Sequence, residues 1–177
     1  MYSINEISVS FTNNSASELI GRYVKPFLHK DNKYNDVIIV CIGTDRCIGD
    51  CLGPLVGTML KEKNFPINVY GTVEDPIHAV NLSKKLYNIK QKHPNAFIIA
   101  IDASLGEKES IGSIQIRKGP IYPGKGVGKK LQSVGDLSII GIVNDGKSSN
   151  GFALHNVRLS FIMDLAKSIV TGLTKAL

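Results

Sequence analysis

Apolar positions crowd the chain in two unbroken runs, Val37–Ile42 within "DVIIVCIG" and Ala96–Ile101 within "AFIIAIDAS". Runs of this length without polar alternation are expected of strands covered on both faces. "INVYGTV", "GSIQIRKGP" and "DLSIIGIVN" read as further strands, and the alternating "INEISVSFTN" as a short edge strand. Helical spacing marks four other stretches. "SASELIGRYVKPFLHK" opens on Ser15 with Glu18 three residues on, a capping-box spacing, and should end near Lys30. "GDCLGPLVGTMLKEK" places Leu52, Leu55, Val56, Met59 and Leu60 on one face. "DPIHAVNLSKKLYNIKQKHP" carries Pro76 in its first turn and Pro94 beyond its end. "GFALHNVRLSFIMDLAKSIVTGLTKAL" closes the chain. Strand and helix alternate through the first hundred residues. That predicts right-handed βαβ units: a single domain over 1–177, a three-layer α/β/α sandwich on a mostly parallel, mixed sheet.

The junction after the first buried run, "IGTDRCIGDCLGP", looks like a phosphate loop and is not one. Its glycines, Gly43, Gly49 and Gly53, lack the close G-x-G of a dinucleotide fingerprint, and Asp50 stands where a P-loop needs lysine. A carboxylate at a helix N-terminus repels phosphate but suits the helix dipole, which lowers its pKa and is worth ~0.3–1 kcal/mol. Asp50 therefore reads either as a cap or as an acid delivered to the strand ends. Gly49, Gly53 and Gly57 bare a stripe that lets the helix lie close on the sheet, and Pro54 fits a helix beginning near Leu52. The second buried run ends on Asp102. Ligands of open parallel sheets bind outside the carboxyl ends of the strands. If the two strands are neighbours, Asp50 and Asp102 converge on one crevice. Such a pair can split its pKa values and activate a water for peptide hydrolysis, or hold a divalent metal. The simpler alternative for Asp102 is a cap on the following turn.

Composition narrows the picture modestly. In 177 residues the net charge is +6, with the lysines spread along the chain, so an acidic partner is only weakly favoured. There is no tryptophan and aromatics are 7%, which argues against a nucleic-acid stacking platform. Cys41, Cys47 and Cys51 are odd in number and clustered, as expected of reduced thiols in a cytoplasmic protein. No apolar run reaches the ~20 residues of a membrane helix, and no signal-peptide pattern opens the chain.

"IGTDRCIGDCLGPLVGTML", "IDASLG" and "YPGKGVGKKL" together resemble the YyaC-type sporulation proteins of endospore-forming bacteria, from about Asp36 to the C-terminus. More distantly, the same segments are similar to the spore germination protease, an atypical aspartic endopeptidase, and to the hydrogenase maturation proteases of the same (phosphorylase/hydrolase-like) fold. The resemblance implies catalytic aspartates at Asp50 and Asp102 and a glycine loop at Gly124, Gly126, Val127 and Gly128. It implies Thr44 at the site rim and a peptide or small spore protein as substrate, in the forespore or spore interior. No cofactor is implied, beyond a divalent metal that the aspartate pair could hold. This chain departs from the germination protease in having Tyr122-Pro123 for His-Pro and Lys129 for asparagine. His155, in or just before the last helix, is a weak candidate for the metal-binding histidine of the maturation enzymes.

Other residues are weighed against simpler readings. Asp45, beside Arg46, reads as a turn residue. Glu74 follows a strand end and could face the crevice, whereas Asp75 reads as the N-cap of the helix entered at Pro76, and His78 as solvated. Lys118, Lys125, Lys129 and Lys130, on or beside a glycine loop that could close as a lid, are either solvated or a dock for an acidic partner. Three functions follow: an aspartate-pair peptidase, a metal-dependent maturation-type endopeptidase, and a non-catalytic spore protein that binds an acidic partner. Homo-oligomerisation is compatible with each.

Overall fold

A computed structural model describes residues 6–28, 33–124, 131–147 and 154–177. Six strands form one mixed sheet: β1 (Glu6–Ser10), β2 (Asp36–Cys41), β3 (Asn68–Tyr70), β4 (Ala96–Gly106), β5 (Ser113–Lys118) and β6 (Leu137–Asp145). Four helices accompany them: α1 (Ala16–Leu28), α2 (Leu52–Glu62), α3 (Leu82–Lys92) and α4 (Leu159–Ala176). The sheet order is β1-β5-β6-β4-β2-β3. β6, β4, β2 and β3 run parallel, while β5 is antiparallel to both β1 and β6. This is the mixed-sheet, three-layer α/β/α domain that the sequence predicts.

The unbroken apolar runs arise because alternate side chains of β2 and β4 enter different cores. Val37, Ile39, Cys41, Ile99 and Ile101 pack with α1, α2 and α4. Ile38, Val40, Ile42, Ile98 and Ala100 pack with Leu82, Leu86 and Ile89 of α3 and with Ile121 and Val134. α2 lies hard against the end of β2, since a Cβ on Gly53 would collide with the Ile42 carbonyl. Pro54 sits in the first turn of α2, as its missing N–H allows.

Several boundaries differ from expectation. The helix expected from Pro76 begins at Leu82. Before it, Ile77 is extended, forms a parallel bridge to Ile42 and accepts the Gly43 N–H at 2.8 Å. Pairing with the sheet outweighs the helical signal of Pro76, so Asp75 caps no helix. Its N–H is taken by the Thr72 hydroxyl at 3.1 Å and its carboxylate by Lys85. His78 is half-buried, its N–H held by Asn81 Oδ1 at 2.9 Å. α4 starts at Leu159, which leaves His155 exposed in the turn before it. Glu18 reaches Lys175 of α4 at 3.4 Å. The end of the first helix beyond Leu28 lies outside the described residues.

Candidate active site

The site is built where β2 stops and β4 does not. The last pair between them is Cys41 with Ile101, and Ile42 N–H still donates to the Ile101 carbonyl at 2.7 Å. Asp102 is the next residue. It was expected at a strand end, but β4 runs four residues further, to Gly106, because β6 keeps pairing with it: Asp102 faces Ile140 and Ala103 faces Gly141, with an irregularity at Ser104/Leu105. Asp102 thus lies within β4 yet beside the open carboxyl end of β2. It is buried, at 8% exposure, and its Oδ1 accepts the Ala103 N–H at 2.8 Å. It caps no turn.

Asp50 is delivered by the loop leaving β2. Gly43, at φ +137°, turns the chain where a Cβ would strike the Asp50 backbone carbonyl. Ile48–Asp50 form a single 3₁₀ turn, and α2 is entered at Cys51 without a side-chain cap. Two bonds pin the loop: Thr44 N–H to the Asp50 backbone oxygen at 3.1 Å, and Gly49 N–H to the Leu154 carbonyl at 2.8 Å. The second brings the segment ahead of α4, with His155, beside the Asp50 turn. No motif signals this approach, since the two segments are over a hundred residues apart.

The electrostatics of the two acids are linked. Burial, then the charge of Asp50, raises the Asp102 carboxyl well above the usual carboxylate range, against the Ala103 amide. Burial also pushes Asp50 up to about 6, against a lowering by the Thr44 amide. The helix dipole was expected to lower the Asp50 pKa; at this half-buried position loss of water is the larger effect. At neutral pH Asp50 is mostly ionised, and of the two acids Asp102 is the one whose surroundings favour the protonated form. Two of the thiols are poor nucleophiles here: burial pushes both Cys41 and Cys51 up, and Asp45 and Asp50 add to the shift at Cys51.

Other candidates are placed more loosely. Asp45 is exposed in the turn, 3.5 Å from the Thr44 hydroxyl. Glu74 is exposed after β3, with β2 between it and β4. Tyr122 is exposed and Gly124 half-buried at φ +80°. Their loop is rooted where Lys118 pairs Leu137 and Leu137 pairs Ile99, three positions below Asp102, or ~10 Å along the strand. Gly126, Gly128, Lys125, Lys129 and Lys130 lie outside the described residues. Among the described residues no group of three or more His, Cys, Asp or Glu could hold a metal ion. Two carboxylates alone fall short of the three protein ligands of a catalytic zinc. Nor, among the described residues, is any helix long and apolar enough to cross a membrane.

One polar chain carries no signal along the sequence. Asp36 Oδ2 meets His93 Nδ1 at 2.8 Å, and His93 Nε2 meets the Tyr70 hydroxyl at 2.6 Å. Pairing of Asp36 with Ala96 closes that gap in sequence.

Fold and site together define an α/β/α domain with an acid pair at the carboxyl end of a central strand. The chain belongs to the family described as "Protein of unknown function (DUF1256)", which matches residues 8–172. It is 46% identical over 167 residues to the "Uncharacterized protein YyaC" of Bacillus subtilis (strain 168), a match covering 94% of this chain and 81% of that relative.

Proposed function

We propose that this chain is a sporulation-associated peptidase of the atypical aspartic type, with Asp50 and Asp102 as its catalytic pair. The observation that carries the reading is the pair itself. Both acids lie at the carboxyl end of β2 and the charge of Asp50 is felt at Asp102; Asp50 is largely ionised near neutrality, while burial and that charge favour the protonated form of Asp102. A pair split in this way can run general base and general acid chemistry together. Asp50 takes a proton from water as its oxygen attacks the scissile carbonyl carbon. Asp102 donates a hydrogen bond to the carbonyl oxygen as negative charge gathers there. The C–N bond then breaks as the amine leaves with the proton that Asp50 held, giving one carboxylic acid and one amine. Similarity of the three motif segments to the spore germination protease supports this reading and suggests a small spore protein as substrate, within the forespore or spore.

The test is cleavage of small acid-soluble spore proteins by the purified protein and by Asp50→Asn and Asp102→Asn. The reading requires cleavage by the parent protein and its loss in both variants; full activity in either ends it. Activity lost to a chelator and restored by a divalent ion would recast the acids as metal ligands. Salt-sensitive binding without cleavage, unchanged in Asp50→Asn, would favour the non-catalytic partner-binding role.

A further inference from the structure

The β3 edge of the sheet carries a second feature that the acid pair does not use. A cavity of about 150 Å³ opens there, lined by Lys61, Lys85, Lys92, Tyr70, Thr72 and Asn88, with Asp75 at its wall. Lys85 is neutralised by Asp75. Lys61 comes from the last turn of α2 and Lys92 from the last turn of α3, two helices whose residues belong to different cores. Neither has an acidic partner among the described residues. Lysines near helix C-termini are ordinary, being favoured by the macrodipole. Two of them from separate helices, lining one cavity with neutral donors, need a further reason.

We propose that this cavity binds a tetrahedral oxyanion, a phosphate group either free or carried on a small molecule. Three lysines against one aspartate leave the lining with a surplus of two positive charges. The Thr72 hydroxyl oxygen accepts the Asp75 N–H, so its hydrogen is available to a ligand. Tyr70 is fixed from behind by the Asp36–His93 pair. Burial, then the charge of Asp36, raises its pKa, so the phenol keeps its proton. Lysine ammonium groups with neutral donors between them suit a compact oxyanion.

The experiment is titration of the full chain with inorganic phosphate and, separately, O-phosphoserine, at constant ionic strength and pH 7.5, followed by calorimetry. Saturable binding at one site is expected, and the tighter of the two ligands identifies the source of the phosphate group. The Lys61→Ala/Lys92→Ala double variant should weaken it about tenfold or more, given ~1 kcal/mol per close charge pair in water. Lys84→Ala/Lys90→Ala removes the same charge from the exposed face of α3 and should change it less than twofold. Circular dichroism of each variant confirms that the fold is kept. Absence of saturable binding overturns the proposal, as does an equal loss in the Lys84/Lys90 control, which would mean a diffuse field and no site. None of these readouts depends on Asp50 or Asp102.

Discussion

The two ends of β2 hold aspartates in opposite circumstances. At its start, Asp36 is stitched into the structure: Oδ1 accepts the Val37 N–H at 2.9 Å and Oδ2 meets the His93 ring at 2.8 Å. Past its far end, Asp102 receives one amide and faces another acid. The first arrangement satisfies a carboxylate. The second leaves a carboxyl group with little to support its charge, and its pKa rises in response. Poorly supported ionisable groups cluster at functional sites because the strain is useful there. The difference between the ends therefore carries the functional argument further than either acid alone.

The sharpest way to break this contrast is to neutralise the strained end. Asp50→Asn and Asp102→Asn should each lower the peptidase rate by roughly 10²–10⁴-fold, the usual worth of a positioned acid or base. Initial rates on a spore-protein substrate measure it, and a loss below tenfold in either variant would remove that residue from the chemistry. The same assignment fixes the acid limb of the pH profile. Asp50 must be ionised to act as base, so kcat/KM should fall as pH drops through about 6. In a productive Asp102→Glu variant that limb should stay in place, since it belongs to Asp50.

Much of this architecture is legible in the residues. "DVIIVCIG" and "AFIIAIDAS" announce doubly covered strands because each buries both sets of alternate side chains; that they are neighbours is settled only by the sheet order, which sets β4 on one side of β2 and β3 on the other. The turn carrying Asp50 is marked by Gly43, Gly53 and Pro54, whose restrictions are local. What is not legible depends on distant pairing. Pro76 signals a helix start, but the Ile42–Ile77 bridge delays it to Leu82. Asp102 reads as a strand end because the run turns polar there; β6 carries the strand on. The Asp50 pKa is missed because sequence displays the helix terminus and not the water lost around it. The His93 contacts are invisible because sheet register alone joins residues so far apart in sequence.

Stability gives the next measure. Asp50 has an unfolded pKa near 3.9 and a folded one of about 6, so between these values the folded state binds more protons. Stability from this group therefore falls as pH rises from about 4 to about 6, and the deficit is complete above that. Two units correspond to ~3 kcal/mol, and water around a half-buried group reduces this to about 1–3 kcal/mol. Asp50→Asn should then raise Tm at pH 7.5 by about 2–12 °C, at ~2–4 °C per kcal/mol for a chain of this size. It should also flatten the decline in Tm between pH 4 and 6. An unchanged or lower Tm at pH 7.5 would show that Asp50 is better solvated than its surroundings imply. The same variant removes the second cause of the Asp102 shift, so the Asp102 carboxyl should titrate lower while staying above the ordinary range, because burial remains the larger cause. Carbon-13 shifts of the labelled carboxyl would follow that change.

The satisfied end should behave in the contrary sense. His93→Ala strips the ring from Asp36 and from the Tyr70 hydroxyl, and His93 is mostly buried, with its side chain 14% exposed. Leaving two polar groups without their partner costs ~1–3 kcal/mol when buried; Asp36, at 30% exposure, can turn to water, so the lower part of that range applies. Peptidase activity should stay within about twofold, since Asp36 lies six residues before Ile42, or ~20 Å along the strand direction. The decisive form is the double variant. If the two ends are independent, the gain from Asp50→Asn and the loss from His93→Ala should add within about 0.5 kcal/mol in urea unfolding at pH 7.5. A larger coupling would mean that β2 transmits strain between its ends, and that the poor support of the acid pair is maintained in part by the tight packing of Asp36.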